Sequence, residues 1–187
     1  MAILPICISG EPVLHAVADP VVDFNDDLRS LCEDMRDTMH EAPGVGLAAP
    51  QIGLGLRLFV YHWEDDDGVL HEGTAVNPKL WITPLDVRDA DEDEAEGCLS
   101  IPGERAPLVR ASEAILEAQD EHGEPYRVEA TGWFARILQH EYDHLNGVLY
   151  ADRLPQVHQK RIKKVIKQNH WGEPGHSWTP GEDDLED

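Results

Sequence analysis

The stretch TGWFARILQHEYDHLN, Thr131 to Asn146, decides how this chain folds. Its apolar members Trp133, Phe134, Ile137, Leu138 and Leu145 recur at helical spacing on more than one side. The segment therefore predicts a helix from about Gly132 to Asn146, capped by Thr131 and buried on several faces. A helix wrapped in that way sits at the centre of a fold. Within it, His140, Glu141, Tyr142, Asp143 and His144 spell H-E-x-x-H. Two residues four apart lie slightly more than one turn from each other, so both imidazoles leave the same face and can hold one metal ion. Glu141 leaves that face by roughly 100°, which lets its carboxylate reach water at the ion instead of the ion itself. The pentapeptide also occurs by chance on polar helices, so its surroundings must decide.

Working outward, Pro5, Gly10, Pro12 and Pro20 break residues 1–20 into short extended pieces, which predicts a wrapping arm. Phe24, Leu28, Leu31, Met35 and Met39 predict an amphipathic helix from Asp23 to about Glu41, ended by Pro43 and Gly44. GVGLAAPQIG, Gly44 to Gly53, has too much glycine for a helix and too little polarity for an exposed loop; it predicts a buried, tightly packed turn. LRLFVY (56–61) predicts a strand, and VLHEGTAVNPKLWIT (69–83) predicts strands interrupted at Asn77 and Pro78. EAILEAQD and YRVEA flank a turn at Gly123 as a hairpin. The class that follows is α+β, with short antiparallel strands in small sheets packed around the helix that carries H-E-x-x-H.

With 187 residues, 41% of them hydrophobic and 28% charged, the chain has the make-up of an ordinary folded domain. We assign residues 1–170 to one catalytic unit and 171–187 to an acidic, Gly- and Pro-containing tail that is mobile in part, closed by Glu182, Asp183, Asp184, Glu186 and Asp187. Fifteen Lys and Arg against 37 Asp and Glu give a net charge of −22, which excludes a general DNA or RNA binder. Positive charge gathers only in Lys160, Arg161, Lys163, Lys164 and Lys167, on a predicted basic helix over about 156–170. The acidic run from Asp89 to Glu96 is not a calcium loop: starting at Asp89, Glu94 falls where glycine is required and Ser100 where a bidentate Glu is required. Cys7, Cys32 and Cys98 are too few and too irregularly spaced for a disulfide framework. The opening residues have no basic and apolar leader pattern, and no apolar run approaches membrane length, so a cytoplasmic chain is expected.

Two H-E-x-x-H imidazoles leave a third ligand to be found. Downstream, His158, His170 and His176 are weak candidates, since the first lies among basic helix residues. Upstream, Cys98 lies in EGCLS, Glu96 to Ser100, where a tight backbone could present a thiolate. A lone cysteine also serves as a small buried apolar group, so residue types alone leave both readings open.

GVGLAAPQIG, EGCLS and QHEYDHL (Gln139 to Leu145), in that order, resemble the three motifs of peptide deformylases, and the likeness extends over about residues 5–155. The resemblance implies that Cys98, His140 and His144 bind one divalent metal, with water in the fourth position. It implies Fe2+ in the cell, with Zn2+, Ni2+ or Co2+ able to substitute. The implied reaction removes the formyl group from N-formylmethionyl nascent peptides, Glu141 serving as general base and acid. The formyl oxygen is then stabilised by the Gln51 side chain and the Leu99 backbone N–H. By the same resemblance Val45, Gly46 and Gly97 meet the peptide backbone, and Glu96 and Arg105 support the site or touch the peptide. Trp133, Arg136 and Ile137 face the methionine pocket. Arg136 stands where some members carry an apolar residue, and its stem is expected to line the pocket while its charge stays wet. The nascent-chain substrate motivates ribosome contact through Lys160, Arg161, Lys163, Lys164 and Lys167. Two other readings are an H-E-x-x-H zinc peptidase with a downstream third ligand and a non-catalytic metal-binding relative.

Overall fold

The computed structural model describes residues 2–183 and 185; of the closing acids named above, Asp184, Glu186 and Asp187 lie outside them. The strands are β1 (Ile6–Cys7), β2 (Gly46–Ala48), β3 (Leu58–Glu64), β4 (Leu70–Ile82), β5 (Ala95–Cys98), β6 (Ile101–Pro107), β7 (Glu113–Gln119), β8 (Pro125–Thr131) and β9 (Ser177–Trp178). The helices are α1 (Asp26–Glu41), α2 (Gly132–His144), α3 (Tyr150–Arg153) and α4 (Gln156–Gln168).

An antiparallel five-stranded sheet, ordered β2-β3-β4-β7-β8, forms the middle layer, and two-stranded sheets β1-β9 and β5-β6 flank it. Alternation along the strands sends side chains to two different cores. Leu58 and Val60 of β3 face Cys32, Met35 and Met39 of α1, whereas Phe59 and Tyr61 pack with Phe134, Ile137 and Leu138 of α2. On β7, Ala114, Leu116 and Ala118 point inward and Glu113 and Glu117 outward, in the hairpin with β8 that the sequence predicts. The metal-motif helix thus lies against one sheet face and α1 against the other.

Local chemistry explains the element ends. Asn25 starts α1 by accepting the Leu28 N–H at 2.9 Å, so the helix begins at Asp26 and not at Asp23. The interruption expected in β4 is a bulge between Val76 and Lys79. There Asn77 takes a left-handed φ of 50° while its side-chain amide bonds both the N–H and the C=O of Val21 at 2.8 Å. Thr131 occupies the cap position of α2 but makes no side-chain capping bond, and α2 ends at His144. GVGLAAPQIG is not a single turn, as expected, but edge strand β2 followed by a short 3-10 turn over Ala49–Ile52. The reason is pairing: β2 meets β3 from Gly46↔Tyr61 to Ala48↔Phe59, which satisfies backbone that glycine alone would leave loose. Within the tail, Ser177–Trp178 pair with Cys7 and Ile6, and Trp178 is buried. All three cysteines are free thiols, and among the described residues no helix is long and apolar enough to cross a membrane.

Candidate metal centre

Helix α2 is buried nearly all round, so its polar residues must be bonded from within the fold. Gln139 shows how: its amide donates to the Ala111 C=O at 2.9 Å and accepts the Ala111 N–H at 3.0 Å, mimicking a strand partner. One turn on, His140 Nε2 and His144 Nε2 approach to 3.2 Å. Cys98, at the end of β5, brings its Sγ to 3.3 Å from His144 Nε2. Among the described residues this is the one group of three or more His, Cys, Asp or Glu able to hold a metal, its donor atoms all within 4.8 Å of one another. His158, His170 and His176 do not join it, which removes the downstream-ligand reading.

The donor set fits a divalent cation. Bonds of ~2.3 Å to sulfur and ~2.0 Å to nitrogen at tetrahedral angles separate S and N by about 3.5 Å and two N by about 3.3 Å, close to the spacings found. Glu96 Oε1 lies 3.4 Å from His140 Nδ1, the carboxylate-to-imidazole contact that turns the other ring nitrogen toward an ion. Burial and the neighbouring His140 push the His144 pKa well below its usual value, which favours the neutral imidazole that metal binding requires.

Glu141 is buried, and its Oε2 has no hydrogen-bond partner among the described residues. Burial lifts its carboxyl to about 7, where a group can both take and return a proton near neutrality. Its carboxylate lies directly against Gly46: a Cβ there would overlap it, which gives this glycine its reason. Gln51 is oriented without ambiguity, because its Oε1 accepts the Ala48 N–H at 2.8 Å. Its Nε2 is thereby left facing Cys98 Sγ at 3.8 Å and Ser100 Oγ at 3.5 Å. Leu99 forms, with Ser100, the turn between Cys98 and Ile101, and its N–H has no acceptor among the described residues.

These groups open on one cavity of about 150 Å³. Val45, Gly46, Gly97, Arg105, Trp133, Arg136 and Ile137 all line it, with Gln51, Cys98, Leu99, His140 and Glu141, so every residue expected at the site except His144 borders the same space. The His62 N–H bonds the Val45 C=O at 3.0 Å, so the N–H and C=O of Gly46 point away from β3 to the open edge. Across the cavity, Gly97 sits opposite Arg105 in β5-β6.

Arg136 differs from expectation. Its charge is not wet but buried, donating to the Leu108 C=O at 2.6 Å and pairing with Glu94 at 3.1 Å and Glu96 at 3.3 Å, with Trp133 under its plane. Two carboxylates and a carbonyl replace the lost hydration. Arg105 is exposed, and Glu96 also pairs with Arg110, whose guanidinium reaches Asp143 as well. Sequence reasoning missed Arg110 and the part played by Asp143. Asp143 lies inside the motif, but nothing local marks Arg110, whose partners are 14 and 33 residues away.

A family model described as polypeptide deformylase matches residues 3–160. A peptide deformylase of Tropheryma whipplei strain TW08/27 is 49% identical over 193 residues, covering 96% of this chain and 94% of that protein. One of Mycolicibacterium paratuberculosis is 49% identical over 191 residues, covering 97% and 96%. The crystal structure of peptide deformylase from Thermus thermophilus superposes with a TM-score of 0.78 at 38% identity, over 91% of this chain and 98% of that one.

Proposed function

Given that this chain belongs to the polypeptide deformylase family and removes the N-formyl group from nascent peptides, we propose that Glu141, Gln51 and the Leu99 N–H perform the chemistry. Cys98 Sγ, His140 Nε2 and His144 Nε2 would hold a divalent metal, which when bound would supply Lewis-acid polarisation and make water easier to ionise. Glu141 takes a proton from the water that attacks the formyl carbon and hands it to the amine nitrogen as the C–N bond breaks, leaving formate. Gln51 Nε2 and the Leu99 N–H donate to the formyl oxygen as it gains charge. The peptide adds as a strand between the open edge of Gly46, with Val45, and the edge of Gly97, as extended peptides add to exposed sheet edges. Its first side chain enters between Trp133, Arg136 and Ile137, with Arg105 at the rim.

The observation that carries this reading is the unpartnered carboxylate oxygen of Glu141 beside the converged sulfur and nitrogens. One thiolate and two imidazoles suit Fe2+, Zn2+, Ni2+ and Co2+, and ferrous iron is the ion the family likeness favours. Residues 1–170 serve as the catalytic unit, working in the cytoplasm where formylated chains are made. Anaerobically purified enzyme is expected to release formate from formyl-Met-Ala and to leave acetyl-Met-Ala nearly untouched. Equal turnover of both would overturn the narrow-site account.

We also propose that α4 touches ribosomal RNA. Lys160, Lys163, Lys164 and Lys167 are exposed, while Arg161 is engaged with Glu104 and the Arg105 carbonyl. Reversing the five charges should abolish co-sedimentation with ribosomes; unchanged co-sedimentation would refute the contact.

A further inference from the structure

The turn between Cys98 and Ile101 carries a ligand sulfur at one end and the Leu99 N–H at its tip, and both ends of the chain hold it from behind. Trp178 in β9 donates its indole Nε1–H to the Leu99 carbonyl at 2.8 Å. The next carbonyl, of Ser100, accepts the Ser9 N–H at 2.9 Å, and Ser9 Oγ in turn donates to the Trp171 carbonyl at 3.0 Å. Trp178 is 3% exposed and is placed by its pairing with Ile6 in β1, so its ring has little freedom.

A short turn has soft peptide planes, and rotating one of them re-aims its N–H and C=O in opposite directions. The Leu99 N–H and the Leu99 C=O belong to adjacent planes hinged at one α-carbon. Fixing the carbonyl of Leu99, and that of Ser100 after it, pins the α-carbon on one side of the plane that carries the Leu99 N–H, and the pairing of Cys98 with Ile101 holds its other side, so that N–H has little room to swing. A donor aimed in advance at the developing charge costs no reorganisation when the reaction occurs.

We infer that Trp178 is a positioning residue for this reaction: through the Leu99 carbonyl it aims the Leu99 N–H at the formyl oxygen. The inference rests on the role proposed above for that N–H. It extends the catalytic apparatus beyond residues 1–170 to residues 177–178, although the family match ends at residue 160. Trp178 touches neither substrate nor metal, and its effect is on the turnover step and not on substrate binding.

Packing and hydrogen bonding by the indole can be separated. In the metal-loaded enzyme, Trp178→Phe removes the N–H with part of the ring, and 3-benzothienylalanine at position 178 removes the N–H while keeping the shape. Both are expected to lower kcat roughly tenfold, less than the about 10²–10³ for deleting such a donor outright, with KM and metal content at parent values. Parent kcat in the benzothienyl variant overturns the inference, whatever Trp178→Phe does, and so does a fall in kcat matched by loss of metal. An α-hydroxy acid at position 99, which replaces the Leu99 N–H by an ester oxygen, tests the premise separately. If that ester leaves kcat unchanged, the Leu99 reading fails and this inference with it. If it lowers kcat while the benzothienyl variant does not, only the role of Trp178 fails.

Discussion

Arg110 donates to Asp143 Oδ2 at 2.6 Å with both side chains at most 7% exposed, and the same guanidinium reaches Glu96 Oε1 at 2.6 Å. Asp143 directly precedes the ligand His144, and Glu96 stands two residues before the ligand Cys98. One buried cation thus ties the helix that bears the nitrogens to the strand that bears the sulfur. Removing one member of a buried ion pair leaves its partner charged and desolvated, at about 3–5 kcal/mol. Because Glu96 keeps Arg136 and Asp143 keeps Arg153 as partners, Arg110→Ala is expected to lower unfolding stability by less than that and to speed metal loss to a chelator. Urea titration and chelator kinetics check it, and parent values for both would contradict the clamp.

Glu94 joins two cations, accepting from Arg88 at 2.6 and 2.7 Å and pairing with Arg136 at 3.1 Å. Hydrogen bonding from Arg88 holds its carboxyl at about 2, below the usual 4.5. A depressed folded-state value contributes stability that is fully present above about pH 4.5 and is lost as pH falls toward about 2. Glu94→Gln should thus be less stable than the parent at neutral pH, and the gap should close across that window in thermal melts. A gap independent of pH would refute the assignment.

The contact of Glu141 with Gly46 gives a paired prediction for catalysis. Glu141→Gln should lower kcat by roughly 10²–10⁴, the usual contribution of a placed acid or base, with metal retained. Gly46→Ala adds a methyl group where the carboxylate lies, and a displacement near 1 Å costs roughly 10²-fold. Formate release and metal analysis on both variants test this. Near-parent turnover in Gly46→Ala would mean that the base sits elsewhere when substrate binds.

What could be read from the sequence was what repeats locally. Helix α2, helix α1 and the β7-β8 hairpin follow from apolar spacing and a glycine turn, because each is specified by neighbours in sequence. The ligand trio was legible only in combination: H-E-x-x-H gave two imidazoles, but Cys98 came from the likeness of three motifs, since no local rule joins it to residues 42 and 46 positions on. β2 read as a turn because its glycines obscure strand character; pairing with β3 outweighs that. Arg136 was expected to keep its charge in water because nothing near it in sequence announces Glu94 and Glu96 as partners. Arg110 and Trp178 stayed silent for the same reason: their roles exist only once distant segments meet.

Metal content of Cys98→Ala measures the centre most directly, because a site with a downstream third ligand does without that sulfur, while formate release by the parent separates an enzyme from a non-catalytic metal binder. Purified without oxygen and assayed for bound metal and for formate from formyl-Met-Ala, the parent is expected to hold one ion per chain and to turn over, and the variant to have lost most of both. A variant that keeps its ion and its turnover would contradict the account.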